Sequence, residues 1–274
     1  MARDGEHILP EARTQLLECG GTTPLAVVLF HGLTNNPAQY ARFAPLLHAH
    51  GVNVFVPRFP RHGHRDRLTS RTAEVTAEML LGAAAEAVDI GSGLGSRVAV
   101  LGISLGGLLA AHAAQFRAID RAVPIAPIFA LPHLPYWVSR LVQRLALMLP
   151  NAFLWWDPRV RADAPPATAY PRFSTRALAQ MLRIGDAVDA AARRQAPLTQ
   201  RIVTLVNRND PAVNNAVTKH ISELWSRRKP AGVEYVELMD LPTLHDIIDP
   251  GQPQGCTELV YPKLLRALGI EVTS

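Results

Sequence analysis

Cysteine, charge and long apolar runs are all scarce in this chain of 274 residues. Its two cysteines, Cys19 and Cys256, lie far apart and outside the spacings of metal ligands, which favours free thiols over a disulfide or a zinc site. No uninterrupted apolar run approaches the roughly 20 residues of a membrane-spanning helix. The opening stretch MARDGEHILPEAR has no apolar signal-peptide core, so we expect a cytoplasmic protein.

Charged residues make up only 19% of the chain, and the net charge is +5. The short basic groups RHGHRDR and SRRK are not interleaved with aromatic residues, so the sequence predicts no nucleic-acid partner. Hydrophobic residues make up 48%, which is enough for a real core and argues against intrinsic disorder. The length suits one large α/β domain that carries an insertion.

Short apolar runs alternate with helical patterns, an order typical of an α/β fold with a mostly parallel sheet and helices on both faces. Pro37 is expected to begin a helix that ends at Gly51, and Ser174 is expected to cap a later helix. Functional residues are expected in the loops that follow the strands. We predict strands at residues 26–32, 52–59, 97–103, 121–129, 201–207 and 233–239.

The alternation breaks down between residues 124 and 172, which contain nine of the 22 prolines. An amphipathic helix with arginines on its polar side is predicted over 136–149. We therefore expect a core formed by residues 1–126 and 199–274, with an insertion over 127–198 that covers the carboxyl end of the sheet. Contact of the predicted helix with a membrane surface is a less favoured alternative.

The stretch VAVLGISLGGLLAAHAA (98–114) places Ser104 where a strand should turn directly into a helix. Gly102 and Gly106, two residues to either side, remove the side-chain carbons that would clash in so tight a bend. The helix then begins beneath the serine, so its unpaired N–H groups and positive dipole end face developing negative charge. Such a serine is typical of a nucleophile, and a chance Gly–Ser turn is the alternative.

A nucleophilic serine of this kind needs an acid and then a histidine, in loops after later strands. Asp210 follows the strand at 201–207 and His245 follows the strand at 233–239. We therefore predict Ser104, Asp210 and His245 as the catalytic residues. The alternatives are that Asp210 only caps a turn and that His245 is a surface-loop histidine.

Three other aspartates, Asp186, Asp240 and Asp246, compete with Asp210 for the role of the acid. Asp240 lies too close to its strand to reach His245, and Asp246 adjoins the histidine in the chain, so its side chain should point elsewhere. Asp186, in the predicted insertion helix, is the second choice.

Two further loops are expected to border the serine. Backbone N–H groups of Leu105, directly after the serine, and of Leu33, in the stretch LFHGLTNNP, are predicted to stabilise an oxyanion. His62 and His64 in RHGHRD are interpreted as part of a polar loop at the site. No cysteine or carboxylate cluster accompanies these histidines, so no metal ion is predicted.

The sequence that carries these residues resembles the α/β-hydrolase superfamily, and within it the small bacterial carboxylesterases and monoacylglycerol-lipase-like enzymes. The stretches that carry the likeness are VLFHGLTNNP, VPRFPRHGHR, LGISLGG, VNRNDPAV and LHDIID. The resemblance implies a sheet of the eight-stranded type with a helical cap inserted after the sixth strand. It implies the same roles for Ser104, Asp210 and His245, and for Leu33 and Leu105.

The expected activity is hydrolysis of carboxylic esters through an acyl-enzyme, without a cofactor, on a small-molecule ester or lipid. The aromatic residues of the insertion, Trp137, Phe153, Trp155 and Trp156, are candidates for the substrate pocket, although they could equally serve to pack the insertion onto the core. A serine peptidase or amidase and a thioesterase or acyltransferase remain open alternatives on the same site. A non-catalytic binding protein is the least favoured of the alternatives.

Overall fold

The computed structural model describes residues 4–271 of the chain. Within that range the strands are β1 Gln15–Leu17, β2 Ala26–Phe30, β3 Asn53–Val56, β4 Val98–Ile103, β5 Arg121–Ile125, β6 Phe153–Trp155, β7 Arg172–Ser174, β8 Arg201–Asn207 and β9 Val233–Leu238. The α-helices are α1 Phe43–Ala49, α2 Ala77–Leu94, α3 Leu105–Phe116, α4 Tyr136–Met148, α5 Thr175–Ala192, α6 Asn215–Arg228 and α7 Thr257–Leu268.

Seven strands form one sheet in the order β1-β3-β2-β4-β5-β8-β9. Neighbouring strands are parallel except for β1 and β3, in which Leu16 lies opposite Phe55. Strands β2 and β4 are buried along their whole length because helices cover both faces of a parallel sheet. The predicted class, an α/β fold with a mostly parallel sheet between helices, is confirmed.

The helices form two groups, one on each face of the sheet. Helices α1 and α7 pack together through Phe43 and Tyr261, whose ring centres are 4.9 Å apart. Helices α2, α3 and α5 contact one another in the second group. From β2 to β3 the chain moves toward the β1 edge of the sheet, whereas the later connections move toward the β9 edge. Because crossovers between parallel strands are right-handed, these two directions place their helices on opposite faces of the sheet.

Between β5 and β8 the chain forms α4, the antiparallel pair β6–β7, and α5. We propose residues 127–198 as the insertion. It follows the fifth strand of the observed sheet rather than the sixth, because the described residues hold no strand before β1. Helix α5 packs against α3 and buries Met181 and Val188, whereas α4 lies outside it and leaves Trp137 71% exposed.

The helix expected from Pro37 to Gly51 is divided in two. A 3-10 turn covers Pro37–Tyr40, and α1 begins only at Phe43. Pro45 explains the division, since proline has no N–H to continue a helix and is tolerated in the first turn of a new one. The predicted cap at Ser174 is present, with its hydroxyl oxygen accepting from the N–H of Ala177 at 3.1 Å.

Cys19 is exposed and Cys256 is buried, and both are free thiols. Among residues 4–271, no helix combines the length and the apolar character that crossing a membrane requires.

Candidate active site

Ser104 by itself forms the junction between β4 and α3. Its backbone has φ 59° and ψ −114°, a conformation that residues with a side chain rarely adopt. Its N–H donates to the carbonyl of Ile125 at 3.0 Å, and its carbonyl accepts from the N–H of Leu108 at 2.9 Å. Strained residues of this kind persist only where their surroundings hold them, and they cluster at functional sites.

The glycines around Ser104 permit a very close approach between strands and helix. A Cβ atom added at Gly102 would lie 2.3 Å from the carbonyl oxygen of Gly106. One added at Gly106 would lie 1.8 Å from the carbonyl oxygen of Phe30 in β2. No side chain fits at either distance, so the sharp turn that exposes the serine requires both glycines.

Asp210 and His245 meet in the loops that follow β8 and β9. The Oδ2 atom of Asp210 lies 2.7 Å from Nδ1 of His245, and the Asp210 side chain is fully shielded from solvent. The other carboxylate oxygen accepts from the N–H of Ala212 at 2.8 Å. This pairing turns Nε2, the second ring nitrogen of His245, away from the aspartate, and both His245 and Ser104 line the same cavity.

The protonation of His245 depends on two nearby carboxylates. Burial lowers the pKa of its imidazole, but the charge of Asp210, the hydrogen bond to it, and the charge of Asp246 together outweigh burial. The pKa of His245 therefore lies above its ordinary value. A neighbouring negative charge favours the protonated ring, as expected for a base that must take up a proton.

Asn207, at the end of β8, hydrogen-bonds to both loops and is not among the residues predicted from the sequence. Its amide nitrogen donates to the carbonyls of Pro242 and Leu244 at 2.8 and 2.7 Å, just before His245. Its amide oxygen accepts from the N–H of Asn209, just before Asp210. The available signal was a polar residue at the end of the mostly apolar stretch RIVTLVN.

The competing aspartates lie elsewhere. Asp186 is on α5, where its carboxylate pairs with Arg140 of α4 at 3.1 Å. Asp240 is exposed. Asp246 accepts hydrogen bonds from two side chains of the chain segment after β2. Among these candidates, Asp210 is the one that contacts the histidine.

The segment after β2 carries Leu33, one of the two predicted oxyanion donors. Leu33 lines the cavity, and its N–H donates no hydrogen bond among those that the structure describes for residues 4–271. Leu105 is the first residue of α3, so its N–H has no partner within the helix. Its side chain is fully buried and does not line the cavity.

The loop RHGHRD lies beside that segment. His62 is fully buried, with Nε2 2.7 Å from the carbonyl oxygen of Leu33 and Nδ1 2.8 Å from that of Pro60. Burial lowers the pKa of His62 to about 4, so the ring is neutral at physiological pH and its one N–H donates to one of these two carbonyls. The backbone N–H of His64 donates to the Tyr170 hydroxyl of the insertion at 2.9 Å. The loop therefore supports the Leu33 backbone and contacts the proposed insertion.

A cavity of about 480 Å³ opens above Ser104 and is lined mainly by apolar side chains. Such a size and lining are usual for sites that bind small molecules. Its polar lining includes Ser104, His245, Asn35, Gln39 and Asp246. The apolar side chains that project into it from the connection between β5 and β8 include Ile128, Leu131, Trp156, Tyr170, Phe173, Leu178 and Met181.

Of the four aromatic residues expected in the pocket, only Trp156 lines this cavity. Trp137 projects into solvent from α4. Phe153 and Trp155 both contact Arg172, whose guanidinium lies 4.3 and 5.8 Å from their ring centres. Residue type gives no direction, so the sequence could not show which of the four side chains would face the cavity: successive residues of a strand point to opposite sides, and Trp137 lies on an exposed part of a helix.

The model of the Alpha/beta hydrolase family matches residues 27–247, which include Ser104, Asp210 and His245. The chain belongs to the alpha/beta hydrolase family. No curated protein sequence matches the chain significantly.

Solved structures resemble this α/β hydrolase over nearly its whole length. A metagenome-derived lipolytic enzyme superposes with a TM-score of 0.70 at 20% identity, covering 94% of this chain and 98% of its own. A monoacylglycerol lipase from Paleococcus ferrophilus gives 0.68 at 20% identity, covering 93% and 97%. A soluble variant of monoglyceride lipase from Saccharomyces cerevisiae gives 0.68 at 14% identity, covering 93% and 91%. At these identities the likeness establishes the fold.

Proposed function

We propose that this α/β hydrolase cleaves carboxylic esters, as a carboxylesterase or monoacylglycerol-type lipase, with Ser104 as nucleophile, His245 as base and Asp210 as acid. One observation carries the proposal. Ser104, held at φ 59°, lines the same apolar cavity as His245, and Nδ1 of His245 lies 2.7 Å from the buried carboxylate of Asp210. A nucleophile, a base and a group that orients the base are the parts that acyl transfer needs.

In the first half-reaction, the Oγ of Ser104 attacks the ester carbonyl carbon while Nε2 of His245 takes the hydroxyl proton. Asp210 holds the ring so that Nδ1 keeps its proton, and its charge stabilises the imidazolium that forms. The carbonyl oxygen, now negative, accepts from the N–H groups of Leu33 and Leu105. The carbon–oxygen bond to the alcohol then breaks, and the proton on Nε2 passes to that alcohol.

In the second half-reaction, water attacks the acyl-enzyme carbonyl and gives a proton to Nε2 of His245. The tetrahedral intermediate collapses, the bond to Ser104 breaks, and the proton returns to the serine oxygen. The products are a carboxylic acid and an enzyme in its starting state. Each proton that leaves one oxygen returns through the same imidazole, so the cycle needs no cofactor.

The apolar wall of the cavity favours esters of medium-length acyl chains over acetyl esters. Each methylene that leaves water for such a surface contributes about 0.8 kcal/mol. The insertion supplies much of that wall, and we propose it as a cap that sets substrate choice. The structural neighbours described as lipases support a lipid-like ester.

The test combines a substrate panel with a matched pair of serine variants. Hydrolysis of p-nitrophenyl esters from acetate to palmitate is compared with that of acyl-thioesters and an aminopeptidase substrate. Ser104→Ala should lower kcat on the best ester by about 10⁴- to 10⁶-fold. Ser92→Ala removes a hydroxyl on α2 that donates a hydrogen bond to the Val88 carbonyl at 3.0 Å, and it should not change the rate.

A fluorophosphonate should label Ser104 in the wild-type protein, as peptide mass spectrometry can establish. A folded Ser104→Ala variant that keeps a tenth of the wild-type rate would contradict the assignment of the nucleophile. Faster turnover of the thioester or the peptide substrate than of every ester would move the function to one of those classes.

A further inference from the structure

One buried amide connects the loop of the proposed oxyanion donor with the loop of the proposed base. Gln39 lies in the 3-10 turn after β2 and is 2% exposed. Its Oε1 accepts from the N–H of Gly32 at 2.9 Å, and its Nε2 donates to Oδ2 of Asp246 at 2.7 Å. Gly32 directly precedes Leu33, and Asp246 directly follows His245. A single side chain thus spans two loops that are distant in sequence.

The chemistry of the two partners fixes the orientation of this amide. The backbone N–H of Gly32 can only donate, so Oε1 must face Gly32 and Nε2 must face Asp246. A carboxylate in place of the amide could not donate to Asp246, and an ammonium group could not accept from Gly32. The position therefore requires an uncharged side chain that both donates and accepts.

The Asp246 end of the bridge is anchored independently of Gln39. The Oδ1 atom of Asp246 accepts from the backbone N–H groups of Ile248 and Asp249 at 3.3 and 3.1 Å. The amide of Asn35 donates to Asp246 and Asp249 at 3.1 and 3.0 Å. Because Asp246 is held from several sides, it serves as a fixed point from which Gln39 positions the segment after β2.

At the other end, the bridge occupies the N–H that lies next to the oxyanion donor. With its own N–H bonded to Gln39, the Gly32 peptide is fixed, and the following amide, that of Leu33, is the one left without a partner among the described hydrogen bonds. A Cβ atom added at Gly32 would lie 3.7 Å from the Gln39 amide and 3.8 Å from the Cβ of Ser104. The Gly32 end of the bridge therefore lies beside the proposed nucleophile.

We propose that Gln39 is a positioning residue for acyl transfer, which fixes the distance between the Leu33 amide and the His245 imidazole. The proposal rests on the function proposed above. Loss of one oxyanion donor costs about 10²- to 10³-fold in kcat, and a misplacement of about 1 Å costs up to about 10²-fold. Breaking the bridge should therefore lower kcat about 10- to 100-fold. The apolar wall is unchanged, so KM should change by less than about threefold.

The experiment replaces Gln39 and a glutamine matched to it in burial and bonding. Gln39→Met keeps the length of the side chain and removes both hydrogen bonds. Gln115→Met does the same in α3, where fully buried Gln115 accepts from the Trp225 indole at 2.7 Å and donates to the Ala196 carbonyl at 3.4 Å. Both variants should lose similar thermal stability, whereas only Gln39→Met should lose kcat. Equal kcat for the two variants would overturn the proposal.

Gln39→Glu provides a second variant that can still accept from Gly32 but cannot donate to Asp246. It should show the same fall in kcat with little change in KM, and wild-type kcat in this variant would contradict the bridge. The rate of Ser104 labelling by a fluorophosphonate gives a readout independent of ester choice, because the phosphoryl oxygen also needs the oxyanion donors. It should slow by a similar factor in both Gln39 variants.

The outcomes separate the two proposals. A wild-type protein that hydrolyses no ester and is not labelled at Ser104 would end both. The proposal for Gln39 alone would be refuted if the wild-type protein hydrolyses esters and is labelled at Ser104, while Gln39→Met hydrolyses esters and is labelled as fast as Gln115→Met.

Discussion

Truncation of Phe173 should weaken the preference for longer acyl chains, because its ring lines the cavity from β7. Phe153 in the paired strand β6 offers a matched control, since its ring lies against the Arg172 guanidinium and outside the cavity lining. Phe173→Ala should therefore reduce the gain in kcat/KM from acetate to octanoate. Phe153→Ala should leave that gain unchanged.

The size of the effect follows from the apolar surface involved. A methylene that leaves water gains about 0.8 kcal/mol, which corresponds to about a fourfold rise in kcat/KM for each carbon that the cavity shields. Burial of a whole phenylalanine side chain contributes about 1.5–3 kcal/mol. If half of the Phe173 ring contacts the acyl chain, its loss costs about 1 kcal/mol on octanoate, a fall of about fivefold relative to acetate.

The assay is kcat/KM for a series of p-nitrophenyl esters from acetate to decanoate, measured for the wild type and both variants. Acetate serves as the internal reference, since its acyl group has the least apolar surface to bury. A wild type that prefers acetate would refute the apolar-pocket argument. An equal loss in Phe153→Ala and Phe173→Ala, or an equal loss on every ester, would show that the insertion acts only on stability.

Three further predictions follow from the site and the turn. The acid limb of the pH profile of kcat/KM should have its midpoint above the ordinary histidine pKa of about 6.5, because only neutral His245 accepts a proton and the nearby carboxylates raise its pKa. A midpoint below about 6.5 would contradict this. Asp210→Asn should lower kcat by about 10⁴-fold and Asp186→Asn by less than about tenfold, and the reverse order in steady-state assays would reassign the acid. Gly106→Ala should lower the free energy of unfolding by more than about 3 kcal/mol, because its Cβ would overlap a backbone carbonyl. Gly93→Ala has open space around its Cβ and should raise the free energy of unfolding by about 0.5–1 kcal/mol. Urea denaturation of both variants would show whether the two effects have these signs.

The strand–serine–helix turn could be predicted from the sequence because its cause is local. Gly102, Ser104 and Gly106 lie within five residues of one another, and the apolar runs before and after them identify a strand and a helix. The loop positions of Asp210 and His245 could be predicted for a related reason. Loops after parallel strands converge at one end of the sheet, so chain order alone brought those two residues to the same place. Their catalytic roles stay a prediction.

The pocket could not be predicted in the same way. The sequence marks four large aromatic residues in the insertion, but it does not give the direction in which each points. Trp155 and Trp156 are neighbours in the chain, yet only the second lines the cavity, because their side chains leave the backbone on different sides. Phe173 and Met181 line it from β7 and α5, elements whose faces are fixed by packing against the rest of the fold.

The sequence by itself determined the α/β class, the strand–serine–helix turn and the order of the three proposed catalytic residues, because each is encoded in residues close together or in simple chain order. Only the tertiary structure decided that Gln39 bridges Gly32 and Asp246, and that Asn207 holds the loop before His245. The physical reason is that a buried polar group must find a partner wherever packing brings one. That partner can come from anywhere in the chain, and no local pattern records it.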